Sequence, residues 1–438
     1  MQNNIKLTIK AKLVNILAAL AYVLFYDFIY KSFIVSRFDT LYSTYGYIQN
    51  VNQVFYYILG VVPILFFTGV KSVSSALSIF MYIFVYIPFM ETLAVCGYGE
   101  SFNLYRVVFF ISMIFFFLTD GKTINLSIQH TGKMAFAKFE KVITIVFLIV
   151  IAINVPNMRL TNFLTSRAEL YENRANLHLN GGAIVNYILF WCNYAIFPLL
   201  VVFYLKTKRI MKWAFAMLGT VCIYMLDQQK MTFVMPFVVT GMFFIYHRGK
   251  YLLSKYYFVI LATGTIIMSL FLFAVFNKSE LFYELACILI MRTVCIEGME
   301  LCTYFNFFEV SNHPYTYYTH IGIINAITDA YPYGSLSLGN VVTYGGANAN
   351  GNFWLMDGIA GAGVFGCILT SFLFILVKAW LSSIDKDCDP RLLSVIFIPS
   401  LCAMVNVSLF TTLFSCGFIL FYIIFKCVDF GDVFKSTN

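Results

Sequence analysis

Apolar runs long enough to cross a bilayer, about 20 residues with a range of roughly 17 to 25, recur along this chain with little between them. They fall at 13–30, 47–70, 73–95, 102–119, 142–156, 183–205, 212–226, 231–246, 256–276, 357–380, 392–409 and 411–426. The pattern predicts an all-α polytopic membrane protein with about 12 transmembrane helices, in a single integral-membrane domain over 1–438. No internal repeat interrupts it.

Two stretches break the pattern. The shorter is 157–182, and the longer is 277–356. The longer one opens with LFYELACILIMRTVCIEGMELCTYF, turns into EVSNHPYTYYTH, and closes on GGANANGNFW before Asp357 leads into another apolar helix. Irregular backbone cannot face lipid, because its N–H and C=O groups find no partners there. The stretch is therefore expected in water, or folded back as a cap on the membrane part. Glu284, Arg292, Glu297 and Glu300 punctuate its first half. That half is too polar to span and too apolar to be free in water, and is expected to lie as a helix in the outer interface.

Composition narrows the class. With 61% hydrophobic and 11% charged residues and a mean hydropathy of +0.81, a soluble globular domain is excluded. The net charge of +8 is read first through the positive-inside rule, and no nucleic-acid partner is expected. With the N-terminus inside, Lys31, Arg37, Arg106, Arg159, Arg167, Arg174, Lys230, Lys278 and Arg292 fall outside, and the other twenty of the 29 basic residues fall inside. Both termini then face the cytoplasm and both long loops face out. The first apolar run is followed directly by further runs, without a small-residue cleavage site, so it is expected to stay as a helix. Eleven cysteines lie singly, as buried thiols do; a disulfide among Cys287, Cys295 and Cys302 stays open.

Candidate chemistry gathers in the two loops. In the shorter, Ser166 and Glu169 form an S-x-x-E capping box and Gly181–Gly182 a stop, which predicts a helix of about three turns. At about 100° per residue, Arg167, Tyr171, Arg174 and His178 share a narrow arc. The guanidinium fork fits phosphate oxygens better than the point charge of lysine, so a pyrophosphate-bearing lipid suits this stripe. A solvated helix touching lipid headgroups is the alternative. Asp227 to Lys230 (DQQK) forms a charged pair tightly flanked by apolar segments, and such pairs are functional candidates unless they merely snorkel; Lys230 would complete an anion site.

In the longer loop, Arg292 faces either a phosphate or a carboxylate. His313 and His320 bracket Tyr315, Tyr317 and Tyr318. Two histidines seven apart, with no carboxylate at ligand spacing, make a poor metal site, and no metal or cofactor is expected. Either histidine suits a general base or a donor to a hydroxyl. The tyrosines, with Tyr304, Phe305 and Phe307, offer flat faces with polar tips that suit sugar rings or the membrane interface. Gly361–Ala–Gly363–Val–Phe–Gly366 matches G-x-G-x-x-G. It lies in an apolar helix with no preceding strand, so it reads as close helix approach and not as a nucleotide site.

Several of these pieces resemble the Wzy-type oligosaccharide repeat-unit (O-antigen) polymerases of bacterial inner membranes. They are R-A-E-L-Y-E-N-R followed by a glycine pair and a helix with Trp191 and Pro198; the span-end D-Q-Q-K-M-T-F; Met291–Arg292–Thr293 with Y-F-N-F-F; and A-N-A-N-G-N-F-W-L-M-D-G-I-A-G-A-G-V-F-G. The resemblance covers roughly 157 to 370 and implies a GT-C-like fold with two large periplasmic loops. It implies a metal-independent glycosyltransferase that moves a glycan from undecaprenyl diphosphate onto the next lipid-linked repeat unit, at the periplasmic face. Arg167, Arg174 and Arg292, with Lys230, would hold pyrophosphate. Tyr171, His178, Asn350 and Asp357 would join the substrate-binding set. The resemblance does not fix the proton acceptor; His313, His320 and Glu297 are the candidates. It also implies work beside a flippase and a chain-length regulator in the bilayer. Two alternatives remain: the related O-antigen ligase, which shares the plan, and a flippase or transporter of lipid-linked oligosaccharide. A transporter would place charges within its spans and break its helices.

Overall fold

The computed structural model describes residues 8–36, 53–96, 102–124, 132–159, 179–345, 348–386 and 388–435. It is an all-α membrane protein. Among the described residues, eight helices are long and apolar enough to cross a membrane: Ile9–Val35, Val73–Thr92, Gly182–Lys206, Ile210–Asp227, Lys230–Arg248, Lys250–Lys278, Trp354–Lys386 and Leu409–Cys427. The other four runs expected to span build shorter or more charged elements. Gln53–Phe66 and Asn103–Leu118 are apolar but short. Phe136–Asn154 carries Lys138, Glu140 and Lys141 in its first two turns. The run at 392–409 divides into Pro390–Ile396 and Ile398–Met404.

The chain folds as two compact units. The first takes Met1–Lys122, Leu252–Ala379 and Met404–Phe410; the second takes Thr123–Tyr251, Trp380–Ala403 and Thr411–Asn438.

In the first unit, Val73–Thr92 is the central helix, buried along its whole apolar window, whereas Lys250–Lys278 has only 22% of its window buried. A helix apolar all round belongs inside a bundle or against lipid, and these two illustrate both cases. Glycine sets the closest approach to the central helix. A Cβ at Gly298 would collide with Thr92 Oγ1 and lie 2.7 Å from Tyr26 Oη, and those two hydroxyls share a 2.9 Å hydrogen bond. At one end of the unit Lys378 is buried and bonds Asp120 Oδ1 at 2.8 Å. Its ammonium also donates to Ser78 Oγ and to the carbonyl of Phe116, both at 2.5 Å.

The stretch 280–310 departs from expectation. It forms one helical run, Glu280–Ala286, Cys287–Cys295, Ile296–Phe305 and Asn306–Val310, with π turns in the second and fourth parts. It does not lie on the surface of its unit: Glu284, Glu297 and Glu300 are buried, and Met299, Leu301, Cys302 and Tyr304 are wholly so. A helix resting in an interface would keep its carboxylates wet. Here Asn352 brings an amide to Glu297, so the polar face turns inward. Cys287, Cys295 and Cys302 are buried free thiols.

In the second unit, Gly182–Lys206 passes through a π turn at Cys192–Ile196. Pro198 has no N–H to give the preceding turn. Ser400 Oγ lies 3.0 Å from the carbonyl of Tyr194 and 2.7 Å from that of Cys416, and its one proton is shared between these two acceptors. Met134–Ala135 and Val428–Asp429 pair as a short parallel ladder.

Breaking one partner of a buried ion pair leaves an uncompensated charge and costs about 3–5 kcal/mol, whereas replacing both by apolar groups is often neutral. Lys378→Met is therefore expected to lower the thermal midpoint in detergent sharply. Asp120→Leu combined with Lys378→Met should recover most of that loss.

Candidate functional site

The helix Ala360–Leu381 is broken near its start. Ala362 (φ −162°, ψ 36°) and Gly363 (φ 61°, ψ −139°) leave helical geometry. Gly363 has a backbone that side chains rarely adopt, and a Cβ there would lie 2.7 Å from Tyr315 Oη and 3.2 Å from Glu309 Oε1. The break takes the carbonyls of Ala360 and Gly361 out of the helical ladder. The loop supplies both missing donors, with Thr316 N–H donating to Ala360 O at 2.8 Å and Tyr317 N–H to Gly361 O at 3.0 Å. Docking the loop there forces Tyr317 (φ 45°) and Tyr318 (φ 68°) into consecutive left-handed conformations. The ring of Tyr318 packs tightly on Gly361, within 3.1 Å of where a Cβ would stand. The G-x-G-x-x-G pattern thus does more than bring helices close. It breaks a span and seats a tyrosine turn.

His320 and Asp357 secure the junction. His320 Nε2 lies 3.1 Å from Asp357 Oδ1, and its Nδ1 lies 2.8 Å from Thr316 Oγ1. Asp357 is wholly buried, and its Oδ2 accepts the Leu409 N–H at 2.6 Å. The two residues, named separately in the sequence, form one unit that ties loop, broken helix and the 404–410 segment together. Both imidazole nitrogens are engaged, which leaves neither for a substrate.

Glu309 sits on the other side of the break. Its Oε1 accepts from Tyr105 Oη at 2.5 Å and from Tyr315 Oη at 2.7 Å. Burial first, and then the carboxylate, push the Tyr315 hydroxyl above the ordinary phenol range, so it stays a donor. Burial pushes the Tyr318 hydroxyl up to about 12, and that hydroxyl has no hydrogen-bond partner among the described residues.

Farther along the loop, His313 stacks on Phe307 with ring centroids 3.9 Å apart. Its Nε2 lies 3.2 Å from Tyr344 Oη. Tyr333 reaches the carbonyl of Pro314 at 2.5 Å. Tyr317 and Tyr344 are exposed, and so is Asn350. Between Glu309 and Asp357 the only charged side chain of the sequence is Asp329.

Glu297, the remaining proton-acceptor candidate, is buried. Its Oε2 accepts from Asn352 Nδ2 and its Oε1 has no partner among the described residues. Burial holds the carboxyls of Glu297 and Glu300 above the ordinary carboxylate range. Arg292 is exposed on the same helical run, with its charge acting on Glu300. Lys230 belongs to the second unit, where it opens helix Lys230–Arg248. Asp227, beside it, closes the turn: Oδ1 accepts from Gln229 N at 2.8 Å and Oδ2 from Thr232 Oγ1 at 2.7 Å. Arg167, Tyr171, Arg174 and His178 lie outside the described residues. The structure therefore brings His320 to Asp357, places Arg292, His313, Glu297 and Asn350 in the same unit, and puts Lys230 in the other.

Sequence reasoning missed Glu309 and Tyr105. Glu309 carried a signal, as the one acidic residue between Glu300 and Asp329. Tyr105 carried none, being 204 positions away from its partner. No family model matches the chain, and neither a curated protein nor a solved structure matches it.

Removing the Asp357 carboxylate strips an acceptor from two buried donors, at about 1–3 kcal/mol for each. Asp357→Ala is expected to speed amide hydrogen exchange at Leu409, Thr316 and Tyr317 together, while amides on the Val73–Thr92 helix keep their protection. Unchanged exchange at all three would show that the carboxylate does not hold this junction.

Proposed function

We propose that the protein is a membrane glycosyltransferase of the O-antigen polymerase kind. It passes a growing glycan from a polyprenyl diphosphate to the sugar of the next lipid-linked repeat unit. In this reading twelve crossings form a GT-C-like bundle in the bacterial inner membrane, with the site facing the periplasm. Carriage of the lipid-linked units to that face falls to a flippase, and product length to a separate regulator.

The observation that carries the reading is the cluster of His313, Tyr333 and Tyr344 gathered on the buried ring of Phe307, with Tyr317 and Asn350 exposed in the same loop stretch. Ring faces with polar edges, in a loop almost free of charge, suit a neutral or weakly charged sugar. The loop is pinned to the end of a membrane span, which suits a substrate whose tail stays in the bilayer. Arg292 supplies an exposed fork for diphosphate oxygens, and Arg167 and Arg174 would add to it. A leaving diphosphate needs such preorganised positive charge. His313, partly exposed with one nitrogen on Tyr344, would hydrogen-bond a sugar hydroxyl, while His320 and Glu297 are enclosed.

A transporter of the same lipid is the second reading, favoured by two specific features. The Trp354–Lys386 span is broken at Ala362 and Gly363, and Glu91, inside the Val73–Thr92 span, is buried with Oε1 unpartnered among the described residues. Broken spans and enclosed carboxylates both occur in transporters.

Incubating the purified protein with synthetic diphospholipid-linked repeat units separates the readings. A ladder of lengthened glycans is expected. Arg167→Ala, Arg174→Ala and Arg292→Ala should each slow it by about a hundredfold where a charge on the leaving group is lost. Movement of lipid between leaflets with no ladder would favour transport, and transfer to lipid A core alone would favour the ligase.

A further inference from the structure

We propose that Glu309 is the group that takes the proton from the acceptor sugar hydroxyl; this rests on the polymerase reading and assigns its chemistry. Three observations lead there. Glu309 ends the helical run at the point where the loop begins, and it is only partly buried. One carboxylate oxygen is fully used, since Oε1 accepts from both Tyr105 and Tyr315. The other, Oε2, has no hydrogen-bond partner among the described residues and is not enclosed. Two phenols from two separate elements thus fix the carboxylate in one pose and leave its second oxygen without a hydrogen-bond partner among the described residues.

The backbone around it is shaped to keep that pose. The glycine at 363 leaves no Cβ in the space that Tyr315 Oη and Glu309 Oε1 occupy. The break in the span therefore packs closely against this carboxylate. The alternatives are less accessible: His320 has both nitrogens engaged by Thr316 and Asp357, and Glu297 is 1% exposed. His313 lies along the same loop, stacked on Phe307, where its ring would meet the sugar.

The step balances without a metal or redox partner. The acceptor hydroxyl oxygen forms a bond to the anomeric carbon of the donor. The bond from that carbon to the diphosphate oxygen breaks, and the electron pair leaves with the diphosphate. The hydroxyl proton passes to Glu309 Oε2. Tyr105 and Tyr315 act as positioning residues, because they touch the carboxylate and not the substrate.

The test uses the full chain in nanodiscs with synthetic diphospholipid-linked repeat units. Glu309→Gln keeps an oxygen that accepts both phenols but cannot take a proton. Its kcat is expected to fall about a hundredfold or more, with KM and thermal midpoint near those of the wild type. Tyr105→Phe with Tyr315→Phe keeps the carboxylate and frees it; kcat should fall by less, again with KM little changed. A Glu309→Gln enzyme that polymerises at the wild-type rate overturns the proposal. So does a loss of rate that tracks a loss of thermal midpoint across both variants, since that marks a structural role. A wild-type protein that makes no ladder overturns the polymerase reading itself, and is recognised before any variant is compared.

Discussion

A carbonyl released from a helix inside a packed apolar core needs a new donor. Left unpaired in an apolar setting, each such group costs roughly 2–7 kcal/mol depending on the reference state, and water is not there to supply the bond. The break at Ala362 and Gly363 releases two of them, on Ala360 and Gly361. Both are met by N–H groups of the 316–317 turn. The turn in turn holds Tyr317 and Tyr318 in left-handed conformations, at about 1–3 kcal/mol each. The strain is smaller than the penalty it removes, so loop and broken span stabilise one another and neither conformation stands alone. Much of the candidate site follows from that pairing: the seat of Tyr318 on Gly361, the reach of Tyr315 to Glu309, and the approach of His320 to Asp357.

The same penalty explains where the ionisable groups lie. Asp357 is wholly buried but meets an imidazole and a backbone N–H. The Asp120 side chain is enclosed but meets an ammonium and a serine hydroxyl. Asp227 is consumed by its own turn. Glu91, Glu297 and Glu300 differ, since each keeps one oxygen without a partner among the described residues. A carboxylate in that position costs less as the neutral acid, which is why burial raises Glu297 and Glu300. An acid held neutral in the interior is a poor proton acceptor and a fair hydrogen-bond donor, and this shifts the search for a base to groups at the edge of the unit.

Sequence periodicity made the membrane class plain because lipid demands long apolar runs, and Val73–Thr92 or Lys250–Lys278 can be read off directly. It was less informative for 280–310. Glu284, Glu297 and Glu300 made that run look too polar to bury, and only the fold shows Asn352 arriving from 55 positions away to meet Glu297. The G-x-G-x-x-G pattern was legible as small residues and illegible as a break, because the demand on Gly363 comes from Tyr315 and Glu309 and not from its neighbours. His320 and Asp357 could each be singled out as polar residues in apolar company. Their pairing could not, since 37 positions of loop and helix have to fold before the two meet. The Arg stripe of 166–181 remains a matter of sequence pattern alone.

Rigidity, finally, separates the two readings on physical grounds. A transporter alternates between arrangements, and the segment that moves is drawn from contacts that cost little to release. The 314–320 turn is bound to the broken span by two backbone bonds, by the His320–Asp357 contact and by the Thr316 hydroxyl. Releasing it would unpair two buried carbonyls and a buried carboxylate together. An enzyme has the opposite requirement: its reacting groups gain from being held in one geometry before the substrate arrives. A strained turn locked by bonds too costly to open is better suited to holding a base and a sugar surface in place than to rocking between two states. On that ground the break in the span supports chemistry at a fixed site more than passage through a moving one.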